Sequence, residues 1–367
     1  MILLNPGPAN TTRTVKNSQL YDYCPRTEEF GNILLNVSSK LVKVVSDDTE
    51  KYCSVLFGSS GTGAIEAVIS SVIRDNENML VISNGAYGKR AYEIAKRHNI
   101  DVDLYDFEYE EIDFGKITNL MSTGEFLEGN WMAKSYSFIF IVHSETTTGI
   151  LNNINFCGEL CKIYNSKMIV DAMSSYGAHN IDMRKDNVSY LISSANKNVQ
   201  GLPGTAFVIC DKEHLLSLTN ESKSYYFDLQ ASYLSIQHKE QTRFTPPVQS
   251  ILALNIALDE LKQETVHGRL TRYHTSWILL CNGMKKLNFK LYTPEHAASW
   301  IVTAFYDHPH PKYKFDDMYY FLKSKGYVIY PGKVEANTFR IANIGNIDYR
   351  DINELLKIIK EYITCLN

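Results

Sequence analysis

An α/β fold, built as a mostly parallel sheet covered by helices and followed by a smaller α+β domain, is what this 367-residue sequence predicts. Three observations lead there. Apolar, β-rich runs alternate with helix-like stretches between about residues 53 and 211. The pattern changes after "RFTPPVQ" to two long helical stretches and then short mixed elements. The chain is also longer than a single core usually supports, so two domains are expected.

Taken in order, "CSVLF" leads into "TGAIEAVISSVI", "MLVIS" into "GKRAYEIAKRH", and "FIFIVHS" into "NFCGELCKIY", with "KMIVDA", "YLISSA" and "FVICD" following. Strand alternating with helix is the signature of parallel β-α-β units with both faces of the sheet covered. Ligands of such sheets bind at the carboxyl ends of the strands. Beyond the change of pattern, "SILALNIALDELKQE" and the stretch around "YHTSWILLCNGMKKL" read as helices. "SWIVTAFY", "DDMYYFLKSKG", "YVIYPG", "TFRIAN" and "DINELLKIIKEYI" complete an α+β tail. The expected division is a large domain over 1–249 and a small one over 250–367.

Composition narrows the function classes. With 44% hydrophobic and 21% charged residues and a formal net charge of −4, nothing favours nucleic acid or an anionic membrane as partner. No apolar run approaches the roughly 20 residues that span a bilayer. "MILLNPGPANTT" lacks a basic n-region and a cleavage signature, and seven scattered cysteines form no CxxC pair. A cytoplasmic protein with free thiols is expected. Cys157 and Cys161 have helical spacing with no histidine close by, so no metal is expected.

Three strand ends carry chemistry. "VLFGSSGTGAIEAV" reads as strand, small-residue turn and helix, which turns the N–H groups of Ser60, Gly61 and Thr62 toward an anion. A plain tight turn fits the same residues. Neither the Walker loop nor the dinucleotide fingerprint is present, since no lysine follows and Glu66 takes the third glycine's place. In "KMIVDAMSSYG", Asp171 ends a strongly apolar strand, where a carboxylate needs a cation or hydrogen-bond donors. An aspartate satisfied by the next loop's amides fits as well. In "YLISSANKNVQGLPG", Lys197 follows small residues that allow close approach, a setting suited to Schiff-base chemistry, although most lysines are simply solvated. Together, an anion cradle, a buried acid and a lysine meet the three needs of pyridoxal phosphate: a phosphate anchor, a partner for the ring nitrogen and an amine for covalent attachment.

The chain resembles, from end to end, the 2-aminoethylphosphonate:pyruvate aminotransferases of the class-V branch of fold-type I pyridoxal-phosphate enzymes. The likeness lies in "LLNPGPANTT", "NGAYGKR", "HSETTTGILNNI", "VDAMSSYG", "SANKNVQGLPG", "RFTPPVQ", "VIYPGK" and "FRIANIG". The lysine motif and "HSETTTG" are its most specific parts. The resemblance implies a sheet of the seven-stranded type and amino transfer from 2-aminoethylphosphonate to pyruvate by way of pyridoxamine phosphate. Alanine:glyoxylate or serine:pyruvate exchange is the alternative. It implies that Lys197 carries pyridoxal phosphate covalently, that Asp171 pairs with the ring nitrogen, and that Ser60, Gly61 and Thr62 hold the phosphate. Thr146 would approach the phenolic oxygen, Tyr87 would cover the ring face, and Thr245 would reach the phosphate from the other subunit of a homodimer with shared active sites. Arg340 would bind the substrate's acidic end, for which a planar guanidinium is suited. Arg26 is a further candidate for the substrate mouth. Asn198 and Gly63 depart from some family members and bear on substrate preference. His143, ending a buried strand, is expected to orient or pack rather than to act as an acid or base.

Overall fold

Seven strands form the central sheet of this computed structural model, which describes residues 1–123, 125–127, 130–132, 135–218, 222–334 and 337–366. They are β1 (Tyr52–Phe57), β2 (Asn78–Ser83), β3 (Asp101–Asp106), β4 (Phe138–Val142), β5 (Lys167–Asp171), β6 (Val188–Ser194) and β7 (Ala206–Asp211). Their order is β1-β7-β6-β5-β4-β2-β3. Only β7 runs against its neighbours. It returns beside β6 and leaves β1 pointing the same way as the rest, so the carboxyl ends of β1, β4, β5 and β6 share one edge.

The central strands are buried on both faces, which is why they read as continuous apolar runs. Their side chains alternate between two cores. Ile139, Ile141, Met168 and Val170 face one side, packed with α1 (Glu28–Lys43), α4 (Ile154–Ile163) and α5 (Val248–Glu264). Phe138, Phe140, Val142 and Ile169 face the other, packed with α2 (Gly61–Val72) and α3 (Ala86–Arg97). Each large apolar side chain so buried contributes roughly 1.5–3 kcal/mol. Cys157 and Cys161 belong to the first of these cores on the inner face of α4, where a hydrogen bond between them and burial push the Cys157 thiol up. The expected strands are found, together with one that the alternation did not reveal. Strand β3, "DVDLYD", lies at the sheet edge with acidic residues between apolar ones, so it lacks the hydrophobic run of its neighbours.

The C-terminal part is an antiparallel sheet of β8 (Val302–Tyr306), β10 (Thr338–Ala342) and β9 (Tyr330–Pro331), in that order. Helices α6 (Val266–Lys286), α7 (Phe315–Ser324) and α8 (Tyr349–Cys365) cover it. Two packing details differ from a cut at residue 249. Helix α5 is part of the large core, and Leu4 from the start of the chain lies in the small one, beside Phe305, Ile329 and Ile341. Ile2–Leu3 also pairs with Tyr327–Val328. Helix α5 and Val266 thus pack with the large core, and the N-terminal segment ties the two cores together. Among the described residues no helix is long and apolar enough to cross a membrane.

Candidate active site

At the shared strand edge a cavity of about 480 Å³ is lined by Ser60, Gly61, Thr62, Tyr87, Thr146, Asp171 and Lys197, within the size range of small-molecule sites. Seven of the ten expected site residues are thus brought to one space.

Asp171 ends β5 between β4 and β6 and is 2% exposed. Its Oδ1 accepts from the N–H of Met173 at 2.9 Å. Burial outweighs that bond and pushes the carboxyl up to about 6. A positive partner in the cavity would reverse the shift, because an opposite charge favours the ionised form.

Lys197 lies in the turn after β6, and its Nζ donates to the carbonyl of Pro6 at 2.6 Å. Burial lowers its pKa, with Arg340 and Lys333 acting in the same direction against Tyr87 and Asp171. The turn is fixed from behind: Asn198 Nδ2 donates to Ser174 O at 2.9 Å, and buried Arg269 donates through Nη1 to Asn198 O at 2.5 Å. The N-terminal segment crosses in front. Gly7 has φ +148°, and a Cβ there would lie 2.5 Å from Lys197 Nζ. Glycine is required on both counts. Gly7→Ala is expected to displace the lysine and lower turnover about tenfold or more, with fold retained, since a misplacement of about 1 Å can cost on the order of 100-fold. Steady-state kinetics alongside circular dichroism would check this; unchanged turnover would show that the lysine accommodates the methyl group.

The cradle forms where β1 turns into α2. Ser60 is the N-cap but makes no side-chain capping bond, which leaves first-turn N–H groups for another acceptor. A Cβ on Gly61 would run into the Met173 sulfur, so close packing ties the cradle to the Asp171 loop. Gly63 is accounted for by packing too, since a Cβ there would lie 2.8 Å from both Phe227 and Ser59. Arg90 donates to Thr62 Oγ1 at 3.2 Å and stands 4.9 Å from the Tyr87 ring centre. Burial raises the Tyr87 hydroxyl, but Lys197, a hydrogen bond with Thr146 and Lys333 together bring it below the usual phenol range.

Arg340 on β10 is 2% exposed, with Nε donating to Pro331 O at 3.1 Å and Nη1 to Thr146 O at 3.0 Å. Among the described residues no carboxylate pairs with it directly. A buried cation bonded to carbonyl oxygens and the Tyr87 hydroxyl, with no carboxylate in contact among the described residues, is a site for an anion.

The remaining two expected residues lie elsewhere. Arg26 is exposed and donates to Thr242 O at 2.8 Å and Gln241 Oε1 at 3.1 Å, so within its own chain it props a surface loop and does not reach the cavity. Thr245 is exposed on that same loop. His143 is buried edge-to-face against His179, and burial and then His179 push it down to about 3, which keeps it neutral and in a packing role.

Two side chains inside quoted motifs were not singled out by sequence. Arg90 belongs to "NGAYGKR". Glu145, in "HSETTTG", is fully buried and accepts from the N–H groups of Thr147 at 2.9 Å and Tyr87 at 3.3 Å, which joins the two turns. Both lie in segments already marked by the motif, which was the available signal.

Residues 26–336 match the family described as Aminotransferase class-V. A 2-aminoethylphosphonate--pyruvate transaminase of Bacillus cereus (strain AH820) is 40% identical over 361 residues, 98% of this chain and 96% of that protein. The chain belongs to the class-V aminotransferases. A bifunctional phosphonoacetaldehyde hydrolase/aminoethylphosphonate transaminase of Clostridioides difficile (strain 630) is 38% identical over 99% of the chain, which spans 56% of that longer protein. Among solved structures, alanine--glyoxylate aminotransferase from Nostoc sp. superposes with TM-score 0.88 at 19% identity, covering 98% of this chain and 94% of that one. An aspartate aminotransferase from Thermus thermophilus gives 0.86 at 22% identity with full coverage of both. These two likenesses concern the fold.

As a class-V aminotransferase the chain uses pyridoxal phosphate. Its residues fit that group: the cavity offers a helix N-terminus with open N–H groups and an arginine for a phosphate, a buried carboxyl whose ionisation awaits a cation, and a buried amine.

Proposed function

We propose that the chain transfers the amino group of 2-aminoethylphosphonate to pyruvate, giving phosphonoacetaldehyde and L-alanine. The observation that carries the reading is Arg340, a buried guanidinium beside the lysine cavity with no acidic partner in contact among the described residues. It suits substrates that all carry an anionic end. The names of the relatives at 38% and 40% identity support the choice of donor and acceptor.

When bound, pyridoxal phosphate supplies a carbonyl that links to amines and a ring that accepts electron density from the adjoining carbon. The protein's residues do the rest. The backbone N–H groups of Gly61 and Thr62, the Ser60 and Thr62 hydroxyls and Arg90 would hold the phosphate. Asp171 would keep a proton on the ring nitrogen, Tyr87 would cover the ring, and Thr146 would serve its phenolic oxygen. Lys197 would anchor the cofactor covalently and, when its amine is free, would take up and return the donor's proton, for which burial favours its neutral form. Arg340 grips phosphonate or carboxylate in turn.

The proposal includes a homodimer in a reducing, cytoplasmic setting, which seven free thiols suit. Thr245 stands away from its own chain's cavity, in a loop braced by Arg26 and flanked by Tyr225, 82% exposed. From there it would meet a partner's phosphate.

The test is product formation. Purified protein given 2-aminoethylphosphonate and pyruvate is expected to yield alanine and phosphonoacetaldehyde in equal amounts, faster than alanine forms with serine as donor. Faster transfer from serine would replace the proposed donor.

A further inference from the structure

We propose that Lys333 is the specificity-determining residue that favours a phosphonate over a carboxylate at the Arg340 subsite. This deepens the amino-transfer reading above and rests on it for the location of the substrate.

The two cations come from one strand pair. Arg340 lies on β10 opposite Tyr330 of β9, and its Nε donates to Pro331 O at 3.1 Å. Lys333 follows Pro331 by two residues. Between them the Gly332 N–H donates to Thr338 O at 2.8 Å, and a Cβ at Gly332 would run into Thr338. The backbone is thereby held against β10 at the point where Lys333 leaves it.

The Lys333 side chain leans toward the cavity. Its ammonium lies 5.2 Å over the ring of Tyr87, whose hydroxyl interacts with Arg340. Lys333 and Arg340 both act on Lys197 as positive charges. Four cations therefore surround Tyr87, of which Lys197 and Arg90 are assigned to the cofactor and Arg340 and Lys333 are left for the substrate. Among the described residues neither Lys333 nor Arg340 has a carboxylate in an ion pair.

Charge decides what the pair prefers. A carboxylate carries one negative charge, which Arg340 alone matches. A phosphonate ionises twice where a carboxylate ionises once, so with its second proton lost it carries two charges spread over three acceptor oxygens. Arg340 grips two oxygens in its planar fork, and the third remains for an ammonium arriving from the mouth. Lys333 is exposed and on a flexible stem, so it adds a point charge without shaping the subsite against a smaller anion. The arrangement serves an enzyme that must hold a phosphonate in one half-reaction and a carboxylate in the other.

The experiment measures binding of ethylphosphonate and of propionate to the cofactor-loaded protein by calorimetry at pH 9, where the phosphonate is doubly ionised and a lysine is still charged, in the wild type, Lys333→Gln and Lys333→Arg. The ratio of ethylphosphonate to propionate affinity is expected to fall on the order of tenfold in Lys333→Gln and to be largely kept in Lys333→Arg. An unchanged ratio in Lys333→Gln, whether both ligands weaken together or neither does, overturns the proposal. Turnover of 2-aminoethylphosphonate by the wild type is recorded separately. If it is absent while the ratio still falls, the donor assignment fails and the phosphonate subsite stands.

Discussion

Replacing Lys197 with alanine is expected to lower amino transfer by on the order of 10⁴-fold or more, with the fold intact. The size follows from two losses at one residue. The covalent anchor disappears, and so does the group that moves the proton, a task that by itself contributes about 10²–10⁴-fold. Structure gives little reason for unfolding, because among the described residues the amine's one hydrogen bond is to Pro6 O and burial disfavours its charge. Wild type reduced with borohydride should show the cofactor's mass on the peptide bearing Lys197, and the variant should not. Retained turnover in Lys197→Ala, or the cofactor's mass on another lysine, would remove Lys197 from the role assigned to it.

Asp171→Asn is expected to lower turnover about 10²–10³-fold, the usual cost of removing one preorganised electrostatic partner from a site. Asparagine cannot hold a proton on the ring nitrogen through charge, so the effect should fall on kcat rather than KM. The same substitution should act oppositely on stability. Burial raises Asp171 from 3.8 to about 6 in the folded, cofactor-free protein. Between those values the folded state binds more protons than the unfolded one, so stability falls as pH rises through the window. Above about pH 6 the ionised carboxyl costs up to about 3 kcal/mol, and below about pH 4 nothing. Cofactor-free Asp171→Asn should therefore melt above wild type at pH 7.5 and match it near pH 4. Equal melting at both pH values would mean that the carboxylate is satisfied without a cation.

Asp171, Lys197 and the Ser60–Thr62 turn could be read from sequence because each follows a buried strand whose β-rich run is visible, and because strand direction alone gathers their ends. Strand β7, which runs backwards, also joins this edge through its preceding turn, for Pro203 and Gly204 line the cavity. What could not be read depends on contacts between distant segments. Gly7 meets Lys197 across 190 positions of chain, and Glu145 links two turns that carry no complementary pattern. Arg26 shows the reverse difficulty. Motif position suggested the substrate mouth, while exposure and its bonds to Gln241 and Thr242 depend on how α1 meets the loop before α5. Edge strand β3 was hidden by its acidic residues, since half-solvated strands lose the apolar run that marks buried ones.

The most direct test of the account is the visible absorption of the cofactor-loaded protein as 2-aminoethylphosphonate, and separately alanine, is added without any keto acid. Each amine is predicted to remove the visible cofactor band, and pyruvate to restore it. A band that alanine removes and 2-aminoethylphosphonate leaves untouched would contradict the proposed donor. No cofactor band at all would contradict the Lys197 site itself.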